Sequence, residues 1–377
     1  MIPQADLKRQ YKAIKKEIDE AILSVLESAQ FIQGKHVQDF EKEFAGLSGA
    51  QYGVATSSGT TALHLALTAL RIGPGAEVIT VPNTFIATTE AISQARAKVR
   101  FVDIDEKTYT MDVNKLEEAI TEKTKAIIPV HLYGQAADMD PIMALAKKYK
   151  LKVIADAAQA HMASYKNRPI GQFGDCVVYS FYPAKNLGAY GDAGMVLTSD
   201  EELALKMRSL ADHGRISKYE HLMEGFNYRM DEIQAAVLRV KLKYLLKWTH
   251  RRRQIAKHYD MLLEQLDVIP PAVSDYAKHV YHQYVIRVKN RERVLEALAK
   301  EEISAGIHYP IPLHLQKAYQ HLGVGKGSFP VAEKCAHEIL SLPLYPEMFD
   351  KEIYKVASAL ASVCGRLTTS IFHHVQR

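Results

Sequence analysis

The sequence predicts an α/β protein: a mostly parallel sheet of seven strands covered by helices on both faces, followed by a smaller α+β domain. Three observations predict it. Short apolar runs alternate with helical periodicity from residue 52 to residue 211. Those runs are apolar throughout, as expected of strands buried on both faces. After Pro270-Pro271 the rhythm changes, and two strand-like runs are interspersed with helical patterns.

Taken in order, residues 6–26 carry Leu7, Tyr11, Ile14, Ile18, Ile22 and Val25 at helical spacing, and residues 37–47 form a second helix after Gly34. Strands are expected at 52–54, 77–81, 99–102, 126–130, 153–154, 177–179 and 195–198. Helices are expected at 60–69, 85–94, 116–120, 141–149 and 201–211. A long helical pattern then runs from 231 to 266. Beyond it, 284–288 reads as a strand, 291–300 as a helix, 305–309 as a short strand, and 332–339 and 353–363 as helices. A chain of 377 residues suits two domains. They are placed at 1–250, with the N-terminal helical segment, and at 251–377, with the long helix as connector. Residues 367–377 read as an unstructured tail.

Composition narrows the class. Apolar residues make up 47% and charged residues 24%, ordinary for a globular protein. A net charge of +5 does not imply nucleic acid, and no separate helix-turn-helix region or strong basic patch is found. Arg251-Arg252-Arg253 reads as a solvated helix face, with an anionic substrate or a partner subunit as the sharper reading. The three cysteines, 176, 335 and 364, are odd in number and far apart, so neither a disulfide framework nor a zinc site is indicated. No apolar run approaches a membrane span, and Met1 to Asp6 carries no apolar leader. A cytoplasmic location is the expectation.

The chemistry-bearing residues follow strands, where open α/β sheets place their sites. Lys185 follows the strand run Cys176-Val177-Val178-Tyr179 and precedes a glycine-rich stretch with Gly188 and Gly191. A lysine held there can form a Schiff base with an electrophile, although a lone lysine is usually a surface charge. Asp156 ends Val153-Ile154-Ala155. It reads as a turn cap or as the anion facing a pyridinium nitrogen. Lysine and strand-end aspartate are the pair that pyridoxal phosphate needs. Gln159 is placed to donate to the ring hydroxyl. Ser57-Ser58-Gly59-Thr60-Thr61 opens a helix and reads as a plain cap or an anion site. Ser180 is close enough in sequence to share a phosphate. Phe85 reads as core or as a ring stacked on a heteroaromatic. Asn227, Tyr228 and Arg229 read as a turn before a helix or as residues reaching a neighbouring subunit. His308 and His314 lack a third metal ligand at suitable spacing, so the proline-stiffened loop around His308 and Tyr309 reads as polar-substrate recognition.

The segments Ser57-Ser58-Gly59-Thr60, Pro82-Asn83-Thr84-Phe85, Val130-His131-Leu132-Tyr133-Gly134, Asp156-Ala157-Ala158-Gln159-Ala160-His161, Ser180 through Lys185, Asn227-Tyr228-Arg229-Met230 and His308-Tyr309-Pro310, in this order, give the chain its resemblance. It resembles the nucleotide-sugar aminotransferases of the DegT/DnrJ/EryC1/StrS family, fold type I pyridoxal phosphate enzymes of the aspartate aminotransferase superfamily. The resemblance implies that Lys185 is the Schiff-base lysine, Asp156 the pyridinium partner and Gln159 the neighbour of the ring oxygen. It implies that Phe85 stacks on the ring and that Gly59, Thr60 and Ser180 cradle the phosphate. Asn227 would reach the cofactor phosphate of the other subunit of a homodimer. Tyr182, Arg229, His308 and Tyr309 would border the sugar-nucleotide site. One departure is visible: the family often has glycine after the His161 position, where this chain has Met162, and the change reads as one of packing.

The activity implied is transamination of a nucleotide-linked keto-sugar, most similar to dTDP-linked 3-keto-6-deoxyhexoses, with L-glutamate or L-glutamine as donor. An aminocyclitol aminotransferase acting on a keto-inositol shares family and cofactor. A sugar dehydratase would carry histidine in place of Lys185. A regulatory protein that binds the cofactor without turnover is the reading from another class.

Overall fold

The computed structural model describes residues 1–365. The tail expected at 367–377 lies outside the described residues.

Seven strands form the main sheet: β1 (Tyr52–Thr56), β2 (Glu77–Thr80), β3 (Lys98–Phe101), β4 (Thr124–Ile127), β5 (Lys152–Asp156), β6 (Cys176–Ser180) and β7 (Gly194–Thr198). Their spatial order is β1-β7-β6-β5-β4-β2-β3. From β3 across to β6 every pairing is parallel. β7 runs antiparallel to both β1 and β6. Its start therefore lies at the sheet edge where β1, β5 and β6 end, and it brings Asp192 and Gly194 to that edge.

Both faces of the sheet are covered, as the unbroken apolar runs predict. Side chains alternate across a strand. Ile79, Ile127, Val153 and Val177 enter the core that contains Phe40 and Phe44 of α2 (Lys35–Ser48). Their neighbours Val78, Ile128, Ile154 and Val178 enter the opposite core with Leu63, Leu65 and Leu67 of α3 (Gly59–Ala69). α4 (Ile86–Gln94), α5 (Met139–Tyr149) and α6 (Glu201–Ala211) complete the layers. The helix expected at 116–120 is a turn at Val113–Leu116 that continues as a 3-10 turn at Glu117–Ala119.

The helix expected from 231 to 266 is two helices, α7 (Glu232–Leu242) and α8 (Leu245–Leu263). At the junction the amides of Lys243 and Tyr244 bond to Val240 O and Lys241 O, three residues back. That tightens the chain and redirects it, and no proline or glycine marks the place. Residue 250 falls inside α8. α1 (Leu7–Ser28) packs Ile14 and Ile18 against Val237, Val240 and Trp248.

A third core lies beneath a two-stranded antiparallel sheet, β8 (Tyr284–Arg287) with β9 (Ile339–Leu342). It is filled by Ile255 and Tyr259 of α8, Val294 and Leu298 of α9 (Arg291–Lys300), and Ile353, Val356 and Leu360 of α11 (Asp350–Cys364). The helix expected at 332–339 is α10 (Pro330–Glu338), and Ile339 starts β9 instead. No strand forms at 305–309. Gly306 makes one bridge to Ser341. Nor is the arginine run a solvated face. Arg252 is buried and donates to the carbonyls of Tyr281 and Leu344, Arg253 donates to His279 O, and Arg251 reaches Met348 O and Asp350. The three guanidinium groups tie α8 to the loops around the small sheet.

No helix among the described residues is long and apolar enough to cross a membrane.

Candidate active site

At the carboxyl edge of the main sheet lies a cavity of about 460 Å³. Ten residues marked in the sequence line it: Gly59, Thr60, Phe85, Asp156, Gln159, Ser180, Tyr182, Lys185, His308 and Tyr309. Two cavities of about 500 Å³ lie elsewhere, and none of the marked residues lines them.

One end of the cavity is built for an anion. α3 opens on Ser58, whose side chain caps the amide of Thr61 at 3.1 Å while Thr61 Oγ1 accepts from the Ser58 amide. The amides of Gly59 and Thr60, in the first turn, have no acceptor within the helix, and the dipole favours negative charge there. Ser180, at the end of β6, adds a hydroxyl that accepts from the amide of Tyr182 at 3.3 Å and is free to donate outward. Two glycines make the approach possible. A Cβ on Gly59 would stand 2.7 Å from Ser180 Cβ, and one on Gly194 would stand 2.2 Å from Ser58 O and 2.7 Å from Gly59 N. Gly194→Ala must therefore push the start of β7 away from the cap. It is expected to cost about 1–3 kcal/mol, read as a lower Tm, and to weaken phosphate retention.

Asp156 lies on the wall of the same cavity. Its Oδ2 accepts from Thr88 Oγ1 at 2.8 Å and its Oδ1 from the amide of Ala158 at 3.1 Å. Thr88 in turn meets Thr84 Oγ1 at 2.9 Å, so two threonines of the β2–α4 segment brace the carboxylate. Burial pushes the proton affinity of Asp156 up, against these two donors and the more distant Lys185. No cation sits within ion-pair distance of it among the described residues. A buried carboxylate in that condition is costly until a cationic donor arrives.

Lys185 lines the same cavity. Part of its surface opens on the cavity, while protein surrounds the ammonium group. Burial lowers its pKa from the usual lysine value to about 8, with Asp156 opposing the fall. A free-amine fraction at neutral pH far above that of an ordinary lysine makes it a competent nucleophile for a carbonyl.

Gln159 uses its Oε1 to accept from the Tyr133 amide at 2.7 Å, which leaves its Nε2 facing the cavity, 3.4 Å from Tyr309 Oη. Phe85, the residue before α4, exposes its ring to the cavity, tilted 41° against Tyr309 at 5.5 Å between centroids. Burial raises the Tyr309 phenol to about 12 and lowers the proton affinity of His308. His308 Nδ1 bonds Ser341 Oγ, while His314 faces Glu333, so the two histidines of that loop have different partners.

Asn227 and Arg229 do not line this cavity. Arg229 donates to Asn227 Oδ1 at 3.0 Å and to Asp212 at 3.1 Å. Met162 is partly buried and packs against the main core, and its φ of +67° lies in the left-handed region that favours glycine, so the departure touches backbone conformation as well as packing. Sequence reasoning missed Thr88, Asp192, His282 and Gln283, all on the cavity wall. Thr88 lies inside a helix and His282 just before a strand, and neither position carries a signal of its own.

The donor set fits pyridoxal phosphate. A cradle of amides and hydroxyls suits its phosphate, the uncompensated Asp156 carboxylate suits a protonated ring nitrogen, and Lys185 supplies the amine for the aldehyde.

Comparison with known proteins agrees. The DegT/DnrJ/EryC1/StrS aminotransferase family model matches residues 12–361. Three relatives are each 46% identical. A pleiotropic regulatory protein of Geobacillus stearothermophilus matches over 96% of this chain and 98% of its own length. A UDP-N-acetyl-3-dehydro-alpha-D-glucosamine 3-aminotransferase of Acidithiobacillus ferrooxidans matches over 95% and 97%. A dTDP-3-amino-3,6-dideoxy-alpha-D-galactopyranose transaminase of Aneurinibacillus thermoaerophilus matches over 96% and 99%. Among solved structures, S. venezuelae DesV in complex with a ketimine intermediate superposes with a TM-score of 0.95 at 40% identity, covering 97% of this chain and 99% of that one. Bacillus subtilis NtdA with bound cofactor PMP gives a TM-score of 0.87 at 35% identity, covering 92% and 81%. On this match along nearly its whole length, the chain belongs to the DegT/DnrJ/EryC1/StrS aminotransferase family and is a pyridoxal-phosphate-dependent sugar aminotransferase.

Proposed function

We propose that this protein aminates the 3-keto group of a nucleotide-linked sugar, a dTDP-linked 6-deoxyhexose by the resemblance of residues 82–91, with L-glutamate as donor. One observation carries the reading: a cavity that joins an amine of pKa about 8 on Lys185 to a buried, uncompensated carboxylate on Asp156. Two of the relatives named above carry position 3 in their names, one on a UDP sugar and one on a dTDP sugar at equal identity.

Bound pyridoxal phosphate supplies an aldehyde that condenses with amines and a ring that accepts the electron pair left on carbon. The chain supplies the rest. Lys185 Nζ is the attacking amine and, when displaced, the base that carries a proton between the donor carbon and the acceptor carbon. Asp156 would hold the ring nitrogen protonated. Ser180 and the amides of Gly59 and Thr60 would anchor the phosphate. Phe85 would stack on the ring, and Gln159 Nε2 would donate to the ring oxygen. Tyr182, His308 and Tyr309 border the sugar.

The cavity edge near Tyr182 and Phe85 is open, and both side chains are half exposed. A second copy of the chain, contributing Asn227 and Arg229 to the phosphate and the sugar nucleotide, would close it, so the working unit is proposed as a homodimer.

The test is a mass-resolved assay with glutamate and a panel of acceptors: dTDP- and UDP-linked 3-keto and 4-keto sugars, and a keto-inositol. Amination of the 3-keto nucleotide sugars supports the reading. Amination of the inositol alone would replace it with the aminocyclitol activity. Formation of product from none of these acceptors would overturn the substrate assignment.

A further inference from the structure

The run from Val130 to Gly134 has no role in the chemistry above. It follows β4 and lies beside the end of β5. The His131 amide donates to Asp156 O at 2.9 Å, and the Asp156 amide donates to Pro129 O at 2.9 Å. Within this run Tyr133 is buried and does not line the cavity. Each of its three polar groups nevertheless holds a residue that does. Its amide donates to Gln159 Oε1 at 2.7 Å. Its carbonyl accepts from the Gln283 amide at 3.2 Å. Its hydroxyl donates to His308 O. Gln159, Gln283 and His308 all stand on the cavity wall and come from three separate stretches of chain.

The hydroxyl contact joins the main sheet to the small one. Gly306 bridges to Ser341 of β9, and the His308 ring meets Ser341 Oγ at 2.8 Å, so one side of this loop is attached to the small sheet. The other side rests on Tyr133, behind β4. Burial raises the proton affinity of the Tyr133 phenol well above its usual value, so the hydroxyl keeps its hydrogen for that carbonyl through the neutral range.

The backbone shows that the side chain is kept at a cost. Tyr133 has a φ of +58°, in the left-handed region where a bulky residue is uncommon and glycine would be easier. Gly134 follows at +104°, and a Cβ there would stand 2.8 Å from Val280 Cγ2 and 3.0 Å from His282 N. The chain at 280–283 therefore comes down directly on this turn. The Tyr133 ring lies edge-on to Tyr109, with centroids 5.4 Å apart at 70°. Both the ring and the hydroxyl are thus placed.

We propose that Tyr133 is a positioning residue: its hydroxyl sets the loop at His308 and Tyr309 against the cofactor-ring contact at Gln159, and so governs capture of the keto-sugar. The amino donor, a small molecule, asks less of that loop than a sugar nucleotide does. The inference rests on the reading of His308 and Tyr309 as the border of the sugar site.

Two measurements on the full-length, cofactor-loaded protein test it. Both use Tyr133→Phe, which removes the hydroxyl and keeps the ring, the amide and the carbonyl. In the first, backbone hydrogen exchange is read by peptide mass. The Gly306 amide, which bonds Ser341 O at 3.1 Å, should exchange about tenfold faster, the scale of one lost hydrogen bond. Peptides around Asp156 and Gln159 should exchange as in wild type. Unchanged exchange at 304–309, or an equal rise in both regions, overturns the proposal. In the second, the two half-reactions are measured separately, with L-glutamate and with a dTDP-linked 3-keto-6-deoxyhexose. KM for the keto-sugar should rise about tenfold, while kcat and KM for glutamate stay within about twofold of wild type. Equal effects on both half-reactions, or none on either, overturn the proposal. If wild type aminates no nucleotide sugar, the reading of the acceptor fails, and hydrogen exchange still decides whether Tyr133 positions the loop.

Discussion

Lys185→Ala is expected to yield a folded protein that has lost the absorbance of the lysine–carbonyl linkage and about four orders of magnitude in turnover. The fold should survive because the substitution removes a group that the fold accommodates at a cost. Burial lowers the pKa of this amine to about 8, so at neutral pH the folded state carries an ammonium it would rather not protonate. Alanine removes that penalty and opens the cavity slightly further. Activity has no such reserve. The other groups on the cavity wall are a buried carboxylate held by Thr88 and Ala158, neutral imidazoles, and a phenol raised to about 12. None of these is a free amine. An added primary amine should recover part of the proton transfer without restoring the linkage. Near-native turnover in the alanine variant would end the assignment.

Asp156→Asn should lower turnover about a thousandfold, the scale of losing one preorganised electrostatic contact in a water-poor site. The side chain is nearly isosteric. Its oxygen can still accept from the Ala158 amide, and its nitrogen can donate to Thr88 Oγ1. What disappears is the negative charge opposite the ring nitrogen, and with it the protonated ring that draws electrons from the substrate carbon. Stability should move the other way in cofactor-free protein. The folded state raises the pKa of Asp156 above its ordinary 3.8. The unfolded chain therefore ionises first, and stability falls as pH rises through that window and stays lowered above it. Asparagine carries no such penalty, so the cofactor-free variant should melt higher than cofactor-free wild type at neutral pH. Pyridoxal phosphate should raise the Tm of wild type more than that of the variant. Equal cofactor-induced shifts would mean that the carboxylate does not pair with the ring.

Much of this site is legible in the sequence because a parallel sheet sends strand ends to one edge. Asp156 ends β5, Ser180 ends β6, and Ser58 to Thr60 follow β1, so naming the strands places the residues together. Lys185 gains its meaning from that edge. Other parts are legible only in three dimensions. Thr88 sits inside α4, where the sequence shows helical periodicity and nothing of the carboxylate it faces. His282 reads as one polar residue before a strand, and its ring meets Asn186 across 96 residues of sequence. Tyr244 breaks a helix with no proline or glycine to announce it. Arg252 looks like part of a charged face and is buried, because carbonyls of Tyr281 and Leu344 replace its water. Met162 shows the converse: an ordinary side chain occupies a left-handed position, where only the backbone angle reveals the strain.

The most direct test is to reduce the cofactor-loaded protein with borohydride and locate the fixed pyridoxyl group by peptide mass. The account predicts a single label on Lys185. A label on another lysine, or a protein that binds pyridoxal phosphate and takes up no label at all, would contradict it.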